Sequence, residues 1–460
     1  MVDPLSDPTA ADSPLSDPRD HLVPSLSLVD ATMLVISSVI GSGIFLAPGI
    51  VADLLPRPSL FLTAWVVGGL LAVAGALANA ELGTLFPHAG GDYVYLREAY
   101  HPAAGFCVGW LTFFAIYAGS VATLAAGFAE AAGQFIAMTL SGKTTLAVGV
   151  TLASSALNYV GVRWGARFNN LTGYVKLAVV TAFAVFALGH APTAFDTWSG
   201  DAAAPVSLSA FGLALSPILF TYLGWNAPVY VASEMRRPSR NLPLALFFGL
   251  AICTAIYLLT NLAYLRALPI ARLRGEPNAG QAAATALLGP DGGTWMGFLV
   301  LVSIAGSLNA MVLVGPRIAY AMALDGLFVG GAERVHPRYG TPHRAIVIQA
   351  IVAVALILVL RTYPSILDYT TFAIVLATIA DTAALYALRR ARPDAPRPYR
   401  AFGYPYLPML YILANVTIAV TMLVGRTLEC ALGLLMLASA VPFYVLFEAQ
   451  HARKSSQSSS

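Results

Sequence analysis

The sequence predicts an all-α integral membrane protein of about twelve transmembrane helices, laid out as two inverted sets of five followed by two more. Three observations carry that expectation. The chain of 460 residues is 58% hydrophobic and only 11% charged, against roughly 25% charge in a soluble domain. With so little polar surface and a mean hydropathy of +0.72, it needs lipid as its solvent. Apolar stretches long enough to cross that lipid recur along the chain, and the first and sixth of them are interrupted at mid-span.

A helix needs about 20 mainly apolar residues to span the hydrocarbon. Such stretches run over 29–52, 60–86, 102–136, 144–162, 167–189 and 208–234, then over 242–266, 294–324, 344–361, 364–388, 405–425 and 428–449. The ninth is short, and Arg361-Thr362-Tyr363-Pro364 turns tightly into the tenth. Residues 26–450 read as one membrane domain, with repeats at 26–190 and 207–390 and two extra helices at 404–450. The first 25 residues are rich in Asp, Pro and Ser, and Pro4-Leu5-Ser6-Asp7-Pro8 recurs as Pro14-Leu15-Ser16-Asp17-Pro18. They lack the basic start and apolar core of a cleaved signal, so they are expected to be a disordered tail. A second disordered tail is expected over 451–460, which ends in Ser-Ser-Gln-Ser-Ser-Ser.

Orientation follows from the basic residues of the loops. With the N-terminus in the cytoplasm, the inside segments hold seventeen Lys and Arg and the outside loops seven. The inside set includes Arg236, Arg237, Arg240, Arg389, Arg390 and Arg392. Both termini are therefore expected in the cytoplasm, with the chain crossing the cytoplasmic membrane many times.

The two interrupted spans carry the chemistry. In the first, Val39-Ile40-Gly41-Ser42-Gly43 sets two glycines two apart, with Pro48 following; in the sixth, Phe220-Thr221-Tyr222-Leu223-Gly224-Trp225-Asn226 is polar near mid-span, with Pro228 following. Unpaired backbone in lipid costs several kcal/mol per group. Such breaks persist only where they line a protein-enclosed cavity. Paired interruptions at matching positions of two halves mark a transporter's midplane site. Exposed amides after the first break, at a half-helix N-terminus, attract a carboxylate. Exposed carbonyls just before each break attract an ammonium. A zwitterionic α-amino acid satisfies both. Tyr222, Trp225 and Asn226 flank the sixth break and are expected to line or support the cavity, with Gly224 among its substrate-facing residues, as Ile40 and Gly41 are at the first. The competing reading, in which the glycines serve only close helix packing, does not account for two breaks at matching positions.

Other function classes find little support. No basic tract with interleaved aromatics speaks for nucleic acid. Cys107, Cys253 and Cys430 fall in apolar stretches without metal-ligand spacing. The seven histidines lie in tails, loops or helix ends and form no His-Glu-x-x-His set. No cofactor or metal is implied, and neither an enzyme nor a filter-type channel fits.

Gly41-Ser42-Gly43-Ile44-Phe45, together with Ala80-Glu81-Leu82-Gly83-Thr84-Leu85-Phe86-Pro87 and Gly90-Gly91-Asp92-Tyr93-Val94-Tyr95-Leu96, resembles the amino acid–polyamine–organocation transporter superfamily. Gly224-Trp225-Asn226 with Glu234-Met235 and Arg240-Asn241-Leu242-Pro243 resembles its L-type amino acid transporter branch, as does Gly161-Val162-Arg163-Trp164-Gly165 with Lys176. The resemblance implies a LeuT-like fold and alternating access. It places the substrate carboxylate on the amides of Ser42 and Gly43 with the Ser42 hydroxyl, and the ammonium on the carbonyls of Val39, Phe220 and Leu223. Phe220 would also be the aromatic gate. Leu223 departs from the branch, which often carries a second glycine there, so specificity does not carry over.

Lys176 lies mid-way along the fifth stretch with no carboxylate at i±3 or i±4. An ionisable group there is functional by default. The resemblance puts its ammonium where sodium-coupled relatives hold a second sodium ion, tied to first-helix carbonyls around Ile36 and to Ser307. Two roles stay open for it: a fixed cation holding the bundle, or a proton carrier. Glu81, Glu130 and Asp381 sit toward helix ends, where water or snorkelling would solvate them. Arg317 would anchor a headgroup or cap a gate. The expected partners are an amino acid, lacking a charged side chain because no carboxylate stands in the cavity segments, the lipid bilayer, and protons as a candidate coupling ion. Amine or polyamine transport on the same fold, and amino acid sensing without flux, are the alternatives. The sequence says nothing of a protein partner.

Overall fold

The computed structural model describes residues 26–87, 90–160, 162–190, 207–230, 232, 235–339 and 341–458, with the side chains of 162–170 and 451–458 left aside. The expected tail 1–25, together with Gly161 and Glu234 of the quoted motifs, lies outside the described residues.

The first span is split into α1 (Leu28–Val39) and α2 (Gly43–Leu54), bent by 47°. The second is α3 (Pro58–Leu85), and the short α4 (Asp92–Ala99) follows on the N-terminal face. The third joins α5 (Pro102–Leu111), a π-helical turn at Thr112–Tyr117 and α6 (Ala118–Ala132); α7 (Leu140–Val160) and α8 (Val162–His190) complete the first five. The sixth is α9 (Leu208–Thr221) and α10 (Ala227–Tyr230), the seventh α11 (Pro238–Ala267), and α12 (Ile270–Leu273) lies in the loop beyond. Next come α13 (Ala279–Val314) with α14 (Pro316–Leu324), α15 (His343–Leu360), α16 (Tyr363–Ala391), α17 (Tyr406–Gly425) and α18 (Thr427–Ser458).

Among the described residues, nine helices are long and apolar enough to cross a membrane, ten if the bent α1–α2 pair counts as one span. The other two expected spans fall short for visible reasons. α7 has 21 residues, enough for roughly 30 Å of rise, but Ser141, Lys143, Thr144 and Thr145 dilute its apolar character. α9 stops at Thr221 because the break intervenes. Two boundaries moved. α13 starts at Ala279 rather than near 294, its first piece set off by the non-helical Gly289 before Pro290. α18 runs to Ser458, past residue 450, through the helix formers Ala452, Arg453 and Lys454.

The packing shows the two-fold repeat that no residue identity revealed. Corresponding elements pack on each other: α3 on α11, α6 on α13, α7 on α15. Several further contacts have an exchanged counterpart. α1 packs on α8 as α9 does on α16, α1 on α11 as α9 on α3, and α8 on α13 as α16 on α6. Large apolar side chains exposed on α15, α17 and α18, such as Ile351, Val359, Val424 and Leu435, mark the lipid-facing perimeter. The α5–α6 span is the most enclosed, with 89% of its apolar window buried, and the two breaks lie against it.

Candidate functional site

Ser27 and Asp30 form a reciprocal capping box that starts α1. The helix ends at Val39, where Ile40 turns extended (φ −71°, ψ 94°). The Ile40 amide still reaches the Ile36 carbonyl at 2.9 Å, so the carbonyls left over are those of the next residues. α2 restarts at Gly43, and the Ser42 carbonyl takes the amides of Phe45 and Leu46 at 3.1 and 3.0 Å. The Gly43 and Ile44 amides ahead of them have no preceding turn to bond and sit at the positive end of the α2 dipole. A Cβ on Gly43 would lie 2.6 Å from Thr221 Oγ1 and 2.8 Å from Thr221 Cα. The two breaks therefore touch, and only glycine permits it.

At the sixth break the Leu223 amide bonds the Phe220 carbonyl at 3.0 Å. Gly224 then adopts φ +99°, and a Cβ on it would meet Ser38 Cβ at 2.8 Å. Asn226 donates to the Tyr230 hydroxyl at 3.2 Å, which donates to Asp92 Oδ2 at 2.7 Å. One buried phenol ties both breaks together. Tyr257 on α11 places its hydroxyl 2.8 Å from the Val39 carbonyl and 3.0 Å from that of Thr221.

Lys176 on α8 is 1% exposed. Its ammonium donates to Ser307 Oγ on α13 at 2.7 Å and to the Ser37 carbonyl at 3.3 Å. Ser307 in turn donates to the Ile40 carbonyl at 3.2 Å. Three helices are thus joined by a cation, a hydroxyl and two carbonyls, with no carboxylate paired to the cation among the described residues. The α1 carbonyl in this bridge is that of Ser37.

A cavity of about 20 Å³ lies where the breaks meet, lined by Ser38, Val39, Gly41, Ser42, Gly43, Leu124, Phe220, Thr221, Leu223, Ser307 and Met311. It has room for little more than one water, so an amino acid enters only when the walls part. The Ser38 hydroxyl and the Ser42 hydroxyl, the latter facing Tyr363, are both unsatisfied. Leu223 also lines a second cavity of about 40 Å³, with Asn79, Asp92, Tyr222, Asn226 and Asp381. A vestibule of about 360 Å³ opens on the face opposite the N-terminus, lined by Glu130, Lys143, Glu276 and Tyr363. Leu46 and Tyr363, both packed on Gly127, line its inner part.

The N-terminal face is closed by other contacts. The Arg236 amide bonds the Leu26 carbonyl at 2.9 Å, fastening the start of α1 to the segment after α10. Arg97 pairs with Asp325 at 2.6 Å. Glu81, 1% exposed, binds Arg389, Arg397 and the Ala401 amide.

A many-spanning bundle with paired breaks around one central cavity is the architecture of a membrane transporter, and the sequence comparisons agree. The profile of the amino acid permease family matches residues 26–444. The chain belongs to the amino acid permease family. This permease is 33% identical to the serine/threonine exchanger SteT of Bacillus subtilis, over 91% of its own chain and 95% of that relative. It is 28% identical to the human large neutral amino acids transporter small subunit 2, over 92% of its chain and 80% of the relative. Identity to the human b(0,+)-type amino acid transporter 1 is also 28%, over 92% and 87%.

Of the residues singled out by sequence, the permease gathers Val39, Gly41, Ser42, Gly43, Phe220, Leu223 and Ser307 around the central cavity. Ile40 contributes its carbonyl to Ser307, Gly224 packs on Ser38, and Tyr222 and Asn226 face the second cavity. Lys176 stands behind the first break. Two expectations are corrected. Glu81 and Asp381, expected to be solvated at helix ends, are 1% and 3% exposed, because α3 and α16 are covered there by the segment around Ala401 and by α4. Glu130, part-exposed at its helix end as expected, is also paired with Lys143 at 2.8 Å. Arg317 bonds back to the Leu313 carbonyl. Sequence reasoning missed Tyr257, Ser38, Thr221, Leu124 and Met311. Their only signal is position, one turn from a break or on a helix packed across it.

Proposed function

We propose that this permease exchanges small neutral α-amino acids across the cytoplasmic membrane by alternating access, with both termini in the cytoplasm. The observation that carries this reading is the cavity between the two breaks. It offers free helix-start amides at Gly43 and Ile44 and unsatisfied hydroxyls at Ser38 and Ser42, while Leu124, Leu223 and Met311 wall it with apolar surface. The amides of α2 receive the carboxylate. The carbonyls of Val39, Phe220 and Leu223 receive the ammonium, each keeping a lone pair for it. Phe220 acts as the gate over the bound substrate. No carboxylate lines this cavity, which favours neutral over cationic side chains, and the apolar walls favour small ones. The serine/threonine exchanger among the relatives supports a small neutral substrate, and the large neutral amino acids transporter supports a neutral one.

Lys176 supports exchange over ion-driven uptake. Its ammonium already bridges α8, α1 and α13 as a bound cation would, so a coupling sodium ion has no place there. The excess of Arg on the N-terminal face supports the sidedness.

The test is flux. The full chain is purified, reconstituted in liposomes, and given radiolabelled L-serine. Uptake is expected into vesicles preloaded with unlabelled L-serine and only at background into empty ones, with or without an inward proton gradient. Proton-driven uptake into empty vesicles would overturn the exchange reading and make Lys176 the leading proton carrier. Absence of L-serine or any other amino acid flux from folded protein would move amines, polyamines and sensing to the front.

A further inference from the structure

The second cavity, beyond Leu223 toward the N-terminal face, holds groups the substrate reading does not use. Asp92 at the start of α4 and Asp381 on α16 are 4% and 3% exposed, and their carboxyl groups face each other within hydrogen-bonding reach. Two carboxylates in contact in a buried site cannot both stay ionised. An O–H between them is the only donor that makes the contact favourable. Asp92 Oδ1, Asp381 Oδ1 and the carbonyl oxygen of Asn79, itself 3% exposed, have no hydrogen-bond partner in this cavity. The site is thus rich in acceptors and short of protons. Among the described residues its side-chain donor to the pair is Tyr230, whose hydroxyl bonds Asp92 Oδ2 at 2.7 Å.

The groups facing the pair from the surrounding elements are phenols: Tyr95 on α4, Tyr117 in the π-helical turn, Tyr230 on α10 and Tyr411 on α17. Three arginines at this end of the bundle are engaged elsewhere. Arg389 and Arg397 hold Glu81 from α3, and Arg97 holds Asp325. Burial pushes the Asp92 carboxyl above the usual carboxylate range, more than the Tyr230 bond holds it down.

We propose that Asp92 and Asp381 form a proton-binding site that fills when the N-terminal face closes and empties when that face opens to water. The proton moves from water to a carboxylate oxygen on closing and returns to water on the same side on opening, so no net proton crosses the membrane. Asn226 and Tyr230 connect the site to the sixth break, where Leu223 separates it from the substrate cavity. Closure binds a proton, so the closed state gains on the open one as the pH on this side falls, by up to about tenfold per unit.

Two measurements test this on the full chain. Infrared spectra of the purified protein near about pH 7 are expected to show the C=O band of one protonated carboxyl per chain that Asp92→Asn and Asp381→Asn each remove, because an amide can donate where the shared proton did. A wild-type spectrum without that band, or a band that persists in both variants, overturns the proposal. This arm needs no transport and so fails or succeeds apart from the exchange reading. In liposomes containing wild-type protein, L-serine exchange is expected to slow by up to about tenfold per unit as the pH on the N-terminal side rises from about 6 to 8. In Asp381→Asn that slope is expected to vanish. An unchanged slope in both carboxamide variants would overturn the link to closure.

Discussion

The two breaks are built differently. The first is made almost wholly of backbone: Gly41, Ser42 and Gly43 offer amides and carbonyls, and its loose ends are held from behind by Lys176 and Ser307. The sixth carries side chains: Phe220 and Leu223 face the cavity, while Asn226 reaches away to Tyr230 and Asp92. Every α-amino acid has the same carboxylate and ammonium, and a backbone surface suits what does not vary. Side chains of different substrates differ, and the sixth break presents the groups that can discriminate among them. On this reading the first break sets whether transport occurs, and the sixth sets for which amino acid.

The largest effect is expected where the first break is held. Lys176→Met removes two charge-assisted hydrogen bonds, each worth roughly 1.5–3 kcal/mol, and frees the end of α1 from α13. L-serine exchange should fall by more than about a hundredfold. The thermal midpoint should change much less, because a buried charge and its desolvation cost leave together. Lys176→Arg should not rescue, since a planar fork does not fit between Ser307 and the Ser37 carbonyl. Full activity in Lys176→Met, measured in the same liposomes, would break the comparison at its first half.

A smaller effect is expected at the link between the breaks. Tyr257→Phe removes the hydroxyl shared by the Val39 and Thr221 carbonyls and leaves the ring in its contacts with Trp65 and Tyr222. Neutral hydrogen bonds are worth about 0.5–1.5 kcal/mol net. A loss of up to about tenfold in apparent L-serine affinity is expected, with maximal exchange less affected. If the variant instead loses maximal exchange at unchanged affinity, the phenol serves the movement of the two breaks rather than the shape of the site.

How much of this could be read from the chain depends on the distance over which the physics acts. The breaks were legible because glycine and proline in lipid act locally, on the helix that contains them. Lys176 and Ser307 were legible as single residues with a chemistry to satisfy, and they meet at 2.7 Å. Sequence placed the partner carbonyl only around Ile36, because which carbonyl turns outward, here that of Ser37, depends on where the last turn of α1 closes. Tyr257 gave no signal: a tyrosine in an apolar stretch reads as a core or interface residue until the packing of α11 on α1 brings it to the breaks. Glu81 and Asp381 were misjudged for the same reason. A helix end is solvated only if nothing covers it, and the segments that cover these ends come from hundreds of residues away in the chain.

The smallest change in rate, and the sharpest in selectivity, is expected at Leu223. It stands where the family branch it resembles often has glycine, and it lines both the central cavity and the one beyond it. Leu223→Gly removes an isobutyl group from a cavity of about 20 Å³ and joins it to the space on the far side. A methylene more or less in an apolar pocket is worth about 1–3 kcal/mol of discrimination, so the ratio of L-leucine to L-serine exchange should rise by about tenfold or more. L-Serine exchange itself should fall only a few-fold, because the helix-start amides of the first break, proposed to hold the carboxylate, are untouched. Competition uptake with both amino acids in one vesicle preparation measures the ratio directly. A variant that loses both substrates equally would show that the sixth break holds the fold of the site rather than choosing its occupant.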